Sequence, residues 1–119
     1  MKYACLIYSN EATNAELYPE GSPAHMEMIA GYMAFGEEAG AAGVLVTGDA
    51  LDDIATSTTV RVRDGKISTT DGPFAETKEQ LGGFYILDCK DLDEAISWAA
   101  KIPTATSGSI EVRPVPDYG

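Results

Sequence analysis

Thr70-Asp71-Gly72-Pro73-Phe74-Ala75-Glu76-Thr77-Lys78-Glu79-Gln80-Leu81-Gly82-Gly83-Phe84-Tyr85-Ile86-Leu87 is the stretch whose reading decides the fold. Asp71-Gly72-Pro73 reads as a turn. Aspartate can bond the backbone two residues on, glycine takes positive φ, and proline fixes the next φ. Gly82-Gly83 either turns the chain sharply into the following strand or lets a ligand or partner backbone come close. Residues 83–87 form that strand. Tyr85 points opposite to Phe84 and Ile86, so both faces are apolar and both need cover.

Upstream, Thr56-Ser57-Thr58-Thr59-Val60-Arg61-Val62-Arg63 is β-branched and alternating, Asp64-Gly65 is a two-residue hairpin turn, and 66–70 returns. Residues 2–8 form a first strand, again apolar on both faces. Residues 9–22 are polar, with Asn, Pro and Gly, and read as a loop. Ser22-Pro23 gives an N-cap and a first-turn proline, and the helix that follows turns Met26, Ile29, Ala30, Met33 and Ala34 inward before ending near Gly40 or Gly43. Met26, Met28 and Met33 are read as core and dimer contact. Val44-Leu45-Val46 is the next strand. Asp91 caps a second helix with Glu94 in a capping box, and Leu92, Ala95, Ile96, Trp98 and Ala99 face inward. Residues 108–115 close the chain as a strand.

The order strand, helix, strand, hairpin, strand, helix, strand predicts an α+β fold, a ferredoxin-like split βαβ sandwich with an inserted β-hairpin. Two helices cover only one sheet face, so a second copy packed sheet to sheet is expected to cover the other, giving a homodimer.

The 119 residues fit one domain, 1–119, and 45% hydrophobic content is enough for a core. Nineteen acidic residues against eight basic ones give a net charge of −11, which repels nucleic-acid phosphates. No stretch approaches the roughly 20 apolar residues of a membrane helix. The apolar opening is too short for a signal peptide, so a cytoplasmic protein is expected. Cys5 and Cys89 read as buried free thiols. One histidine and no close cysteine pair leave no metal set, and no cofactor is implied.

Asp71-Gly72-Pro73-Phe74-Ala75-Glu76-Thr77-Lys78-Glu79, with Gly82-Gly83-Phe84 after it, resembles the DGPF-domain proteins of the YCII-related family. The resemblance extends to Asp91-Leu92-Asp93-Glu94-Ala95, Trp98-Ala99 and residues 108–114. It implies a ferredoxin-like fold and a dimeric α+β barrel, and little about activity. Some family members are encoded beside, or fused to, extracytoplasmic-function sigma factors. Pro23-Ala24-His25 resembles a helix start at which a histidine pairs with an aspartate near the helix end as a proposed dyad. Here Ala41 and Ala42 stand in that place, leaving Glu37, Glu38, Asp49 and Asp71 as alternative partners.

His25 and Asp71 are therefore the acid–base candidates. Near a helix N-terminus His25 is favoured in its neutral form. Lys78, Glu79 and Tyr85 are candidate ligand-binding residues, beside the plainer readings of a solvated loop and a core tyrosine. Two functions follow: a small-molecule binder or cofactor-independent acid–base enzyme with a cleft near the dimer interface, or a non-catalytic regulatory or sensor module with a sigma factor as partner.

Overall fold

In the computed structural model, which describes residues 1–119, the elements are β1 (Lys2–Ser9), α1 (Glu11–Leu17), α2 (Pro23–Ala41), β2 (Leu45–Ala50), β3 (Thr58–Arg63), β4 (Lys66–Asp71), β5 (Gln80–Asp88), α3 (Leu92–Ala99) and β6 (Ser109–Pro114). Short 3-10 turns lie at Ile54–Thr56 and Pro103–Thr106. The main sheet runs β2-β5-β1-β6, and every neighbouring pair is antiparallel. This is the ferredoxin-like arrangement. The two strands that are apolar on both faces, β1 and β5, take its centre.

Tyr3, Cys5, Ile7 and Leu87 point to one face and are buried with Phe35 and Ala39 of α2, Ala95 and Ala99 of α3, and Ile102. Ala4, Leu6, Phe84 and Ile86 point the other way. They are only half-buried and lie outside this core. The chain is 47 × 46 × 19 Å, the thickness of one sheet and one helix layer.

Three sequence expectations are corrected. Residues 9–22 are not all loop, because Asn10 accepts from Thr13 N and caps α1. No residue of α1 is fully buried, so it left no apolar stripe to read. The helix faces also differ: Met26, Ile29 and Met33 on α2, and Leu92 and Ile96 on α3, are exposed. α2 carries two apolar stripes, and periodicity alone cannot choose between them. Met28, Tyr32, Phe35 and Ala39 form the stripe that turns toward the sheet. Finally, β5 begins at Gln80, so Gly82-Gly83 lies inside the strand. The step from Ile7↔Gly83 to Tyr8↔Leu81 leaves Gly82 as an extra residue, a bulge that glycine accommodates.

β3 and β4 pair only with each other. Their turn has positive φ at Asp64 (51°) and Gly65 (72°), the primed geometry that matches strand twist. This hairpin makes no substantial packing contact with any other element.

Candidate functional site

A cleft of about 570 Å³ opens on the helix side of the sheet, where β2 and β5 meet α1, α2 and the Pro103–Thr106 turn. It continues into an outer chamber that shares Glu11, Asn14, Met28, Asp53 and Thr104 with it. The α2 stripe supplies one wall. His25, Met28 and Tyr32 recur at helical spacing, with His25 on the outer chamber and Tyr32 on the inner one. Gly31 lets the wall close: a Cβ there would lie 3.2 Å from Pro103 Cγ. That approach brings Thr104 to α2, where its Oγ1 lies 2.5 Å from Tyr32 Oη.

The floor depends on another glycine. Gly48 stands opposite Tyr85 across the β2–β5 pair, and a Cβ on it would overlap the tyrosine ring. The ring therefore lies over β2, with its centroid 4.8 Å from that of Phe35. Tyr85 is core on one side and cleft on the other, and its hydroxyl has no hydrogen-bond partner within the protein. Burial pushes the Tyr85 phenol above its ordinary range, and the neighbouring Tyr32 pushes it further. Burial raises Tyr32 as well, with its bonds to Thr104 pulling the other way. Both phenols keep their protons at neutral pH and can donate hydrogen bonds.

The rim is held by polar ties. Glu11 N donates to Gln80 Oε1 (2.9 Å), Ile54 N to Glu11 Oε2 (3.1 Å) and Asn14 Nδ2 to Ser9 Oγ (2.7 Å). His25 Nδ1 accepts from Gly21 N at 3.1 Å, so the neutral ring carries its proton on Nε2. In that tautomer Nε2 is a donor. Glu11, Asp49 and Asp53 are the acidic lining residues, and no lysine or arginine lines either chamber. No group of three or more His, Cys, Asp or Glu side chains is gathered as a metal site.

Of the residues singled out from sequence, Tyr85 and His25 line the two chambers. Asp71, Lys78 and Glu79 do not. Asp71 ends β4, exposed, at the root of the hairpin. Lys78 contributes its backbone carbonyl to Asn10 Nδ2 (2.9 Å), while its side chain is exposed. Glu79 Oε1 accepts from Ser109 Oγ (2.8 Å), a tie to β6. Tyr32, Thr104, Asn14 and Gln80 escaped the sequence reading. Only the 25-28-32-35-39 spacing on α2 could have pointed to Tyr32.

Fold and cleft together define a class: a ferredoxin-like α+β fold with a small-molecule-sized hollow on its helix-covered face. The chain belongs to the YCII-related domain family, which it matches over residues 1–118. It is 38% identical over 120 residues to an uncharacterised protein of Rhizobium meliloti (strain 1021), covering 99% of this chain and 94% of that one. Its fold is similar to that of a 5-chloro-2-hydroxyhydroquinone dehydrochlorinase from Burkholderia phenoliruptrix AC1100, solved with 2,5-dihydroxybenzoquinone. The TM-score is 0.54 at 15% identity, over 98% of this chain and 94% of that chain. No helix is long and apolar enough to cross a membrane.

Proposed function

We propose that this protein binds a small uncharged or cationic molecule bearing oxygen acceptors in the Tyr32–Tyr85 cleft. The observation that carries the reading is the unpartnered Tyr85 hydroxyl in a largely apolar hollow of about 570 Å³. Hollows of roughly 300–1,000 Å³ with a few convergent polar groups are the usual form of small-molecule sites. The absence of any lining lysine or arginine, with Glu11, Asp49 and Asp53 present, disfavours anions. The solved neighbour's dihydroxylated quinone supports only the size of the ligand, one oxygenated ring, and not its charge, because the tyrosine-lined cleft here has no cation to meet an ionised quinone.

The chemistry that the cleft's own side chains can supply is proton transfer. Tyr85 and His25 Nε2 are the groups placed to donate a proton or hydrogen bond to a ligand oxygen. Asp71 is not at hand to pair with His25 in this cleft.

Ligand-observed NMR with uncharged hydroxylated rings, against aromatic carboxylates and 2,5-dihydroxybenzoquinone, a vinylogous acid that is anionic at neutral pH, tests the reading. The neutral rings should bind and the anions should not. Tyr85→Phe keeps the ring over Gly48 and removes only the hydroxyl, so it should weaken binding about tenfold, the worth of one hydrogen bond. Neutral-ring binding that is unchanged in Tyr85→Phe and Tyr32→Phe would sink the proposal.

A further inference from the structure

We propose that Thr104 is a positioning residue that fixes Tyr32 as a hydrogen-bond donor, so that the cleft selects a ring ketone over the matching ring alcohol. Resting on the small-molecule reading of the Tyr32–Tyr85 cleft, this names the oxygen that the cleft recognises.

The proton count decides the direction of the bond. The Tyr32 and Thr104 hydroxyls share one hydrogen bond, at 2.5 Å, and bring two protons to it. One proton makes the bond and the other must point elsewhere. Thr104 is 8% exposed, and its Oγ1 has no other partner in the protein. Its orientation is set from behind. Thr104 Cγ2 lies over Gly108, where a Cβ would stand 2.9 Å away, and the Thr104 carbonyl accepts from Gly108 N (2.7 Å) and Ser107 N (3.1 Å). Thr106 in the same turn returns its hydroxyl to Pro103 O at 3.0 Å, a local bond that Thr104 does not make. The Thr104 proton therefore has one acceptor within the protein, the Tyr32 oxygen, and a buried donor left unpaired is costly. The Tyr32 proton is free to turn to the cleft that its ring lines. Burial, the largest influence, raises the Tyr32 phenol, while the bonds from the side chain and backbone of Thr104 lower it, as donation to its oxygen does.

Tyr32 is left with a proton over the cleft and an oxygen already engaged, so it gives a hydrogen bond to a ligand and does not take one. Tyr85, whose hydroxyl is free and close enough for charge on Tyr32 to act on it, supplies a second donor. A carbonyl oxygen offers two lone pairs and brings no proton, so it can accept from both. An alcohol that accepts from both keeps a proton of its own. The α2 wall gives that proton no acceptor, because its other groups are the Met28 thioether and the Nε2 donor of His25. The recognised class is a small uncharged ring bearing a ketone or lactone carbonyl.

Ligand-observed NMR titrations with α-tetralone and its alcohol α-tetralol, uncharged rings that differ at one oxygen, test the proposal. The wild type should bind the ketone about tenfold more tightly. Thr104→Val should tighten the alcohol about tenfold and leave the ketone within about twofold, because the Tyr32 oxygen is then free to accept. Thr104→Ser keeps the hydroxyl and should keep the wild-type ratio. Tyr32→Phe should weaken the ketone about tenfold and bring the ratio close to one. Unchanged amide exchange in β1 and β5 will confirm that each variant folds, and if Thr104→Val fails that check the wild-type and Tyr32→Phe ratios decide. A Thr104→Val protein that weakens both ligands together, or neither, would overturn the proposal. Equal wild-type binding of the two would also overturn it, while leaving the cleft a small-molecule site. Binding of neither overturns it as well, and the uncharged hydroxylated rings then decide the cleft reading separately.

Discussion

β5 and the β3–β4 hairpin are both rich in strand-forming residues, yet they are held in opposite ways. Each face of β5 meets side chains from both neighbouring strands, and Leu87 is wholly buried. The hairpin is held by its turn, its ladder and two bonds at its root, Gly72 N to Ser57 O and Thr59 Oγ1 to Gly72 O, both 2.8 Å. One strand is specified by tertiary packing and the other almost wholly by local chemistry. Stability in this chain is therefore concentrated in the body, while the apolar face of the hairpin lies open to solvent.

The sharpest way to break that contrast is a matched truncation. Leu87→Ala should destabilise the body by about 3–4 kcal/mol, as core deletions do. Ile67→Ala should change the unfolding free energy measured in urea by less than about 0.5 kcal/mol. Similar losses at the two sites would mean that the hairpin packs on its own body.

A smaller effect separates the regions by pH. Burial pushes the Cys5 thiol from near 9 up to about 11, and Cys89 adds to the rise. A thiol raised on folding favours the folded state in its protonated form. Its contribution is complete below pH 9 and is lost as pH climbs toward 11, about 2–3 kcal/mol in all. Urea unfolding should show this loss in the wild type and lack that part of it in Cys5→Ala. The hairpin holds no thiol and contributes nothing to it.

The smallest effect belongs to the hairpin alone. Gly65→Ala forces a side chain to φ 72°, costing about 1 kcal/mol. Amide exchange within 58–71 should quicken several-fold while body unfolding stays put. If the body weakened equally, the two regions would be one cooperative unit.

The same contrast explains what the sequence could tell. Asp64-Gly65 and the Asp91 cap act within a few residues, so their structures were readable: Asp91 accepts from Glu94 N at 2.9 Å as expected. The two-sided apolar strands placed β1 and β5 at the centre. α2 defeated the reading because its outward stripe, Met26, Ile29 and Met33, is as apolar as its inward one. At the cleft, strand parity singled out Tyr85 and the resemblance at Pro23-Ala24-His25 singled out His25, and both line the hollow. Tyr32 and Thr104 meet only because the turn before β6 reaches α2 across 72 residues of chain. Asp71, Lys78 and Glu79 looked adjacent because they are near Tyr85 in sequence. The chain between them leaves the cleft, and nothing local in 72–79 announces it.

The aromatic contacts beneath the cleft have an optical consequence. The chain's single tryptophan, Trp98, meets Phe35 edge-on at 6.2 Å, and Phe35 lies against Tyr85. Lys101 Nζ sits 4.9 Å from the Trp98 ring. The indole thus reads the floor of the cleft from behind through one intervening ring. A ligand that displaces Tyr85 should alter both the tryptophan emission and its excitation by tyrosine. The protein carries its own fluorescent gauge of cleft occupancy, with no dye to attach.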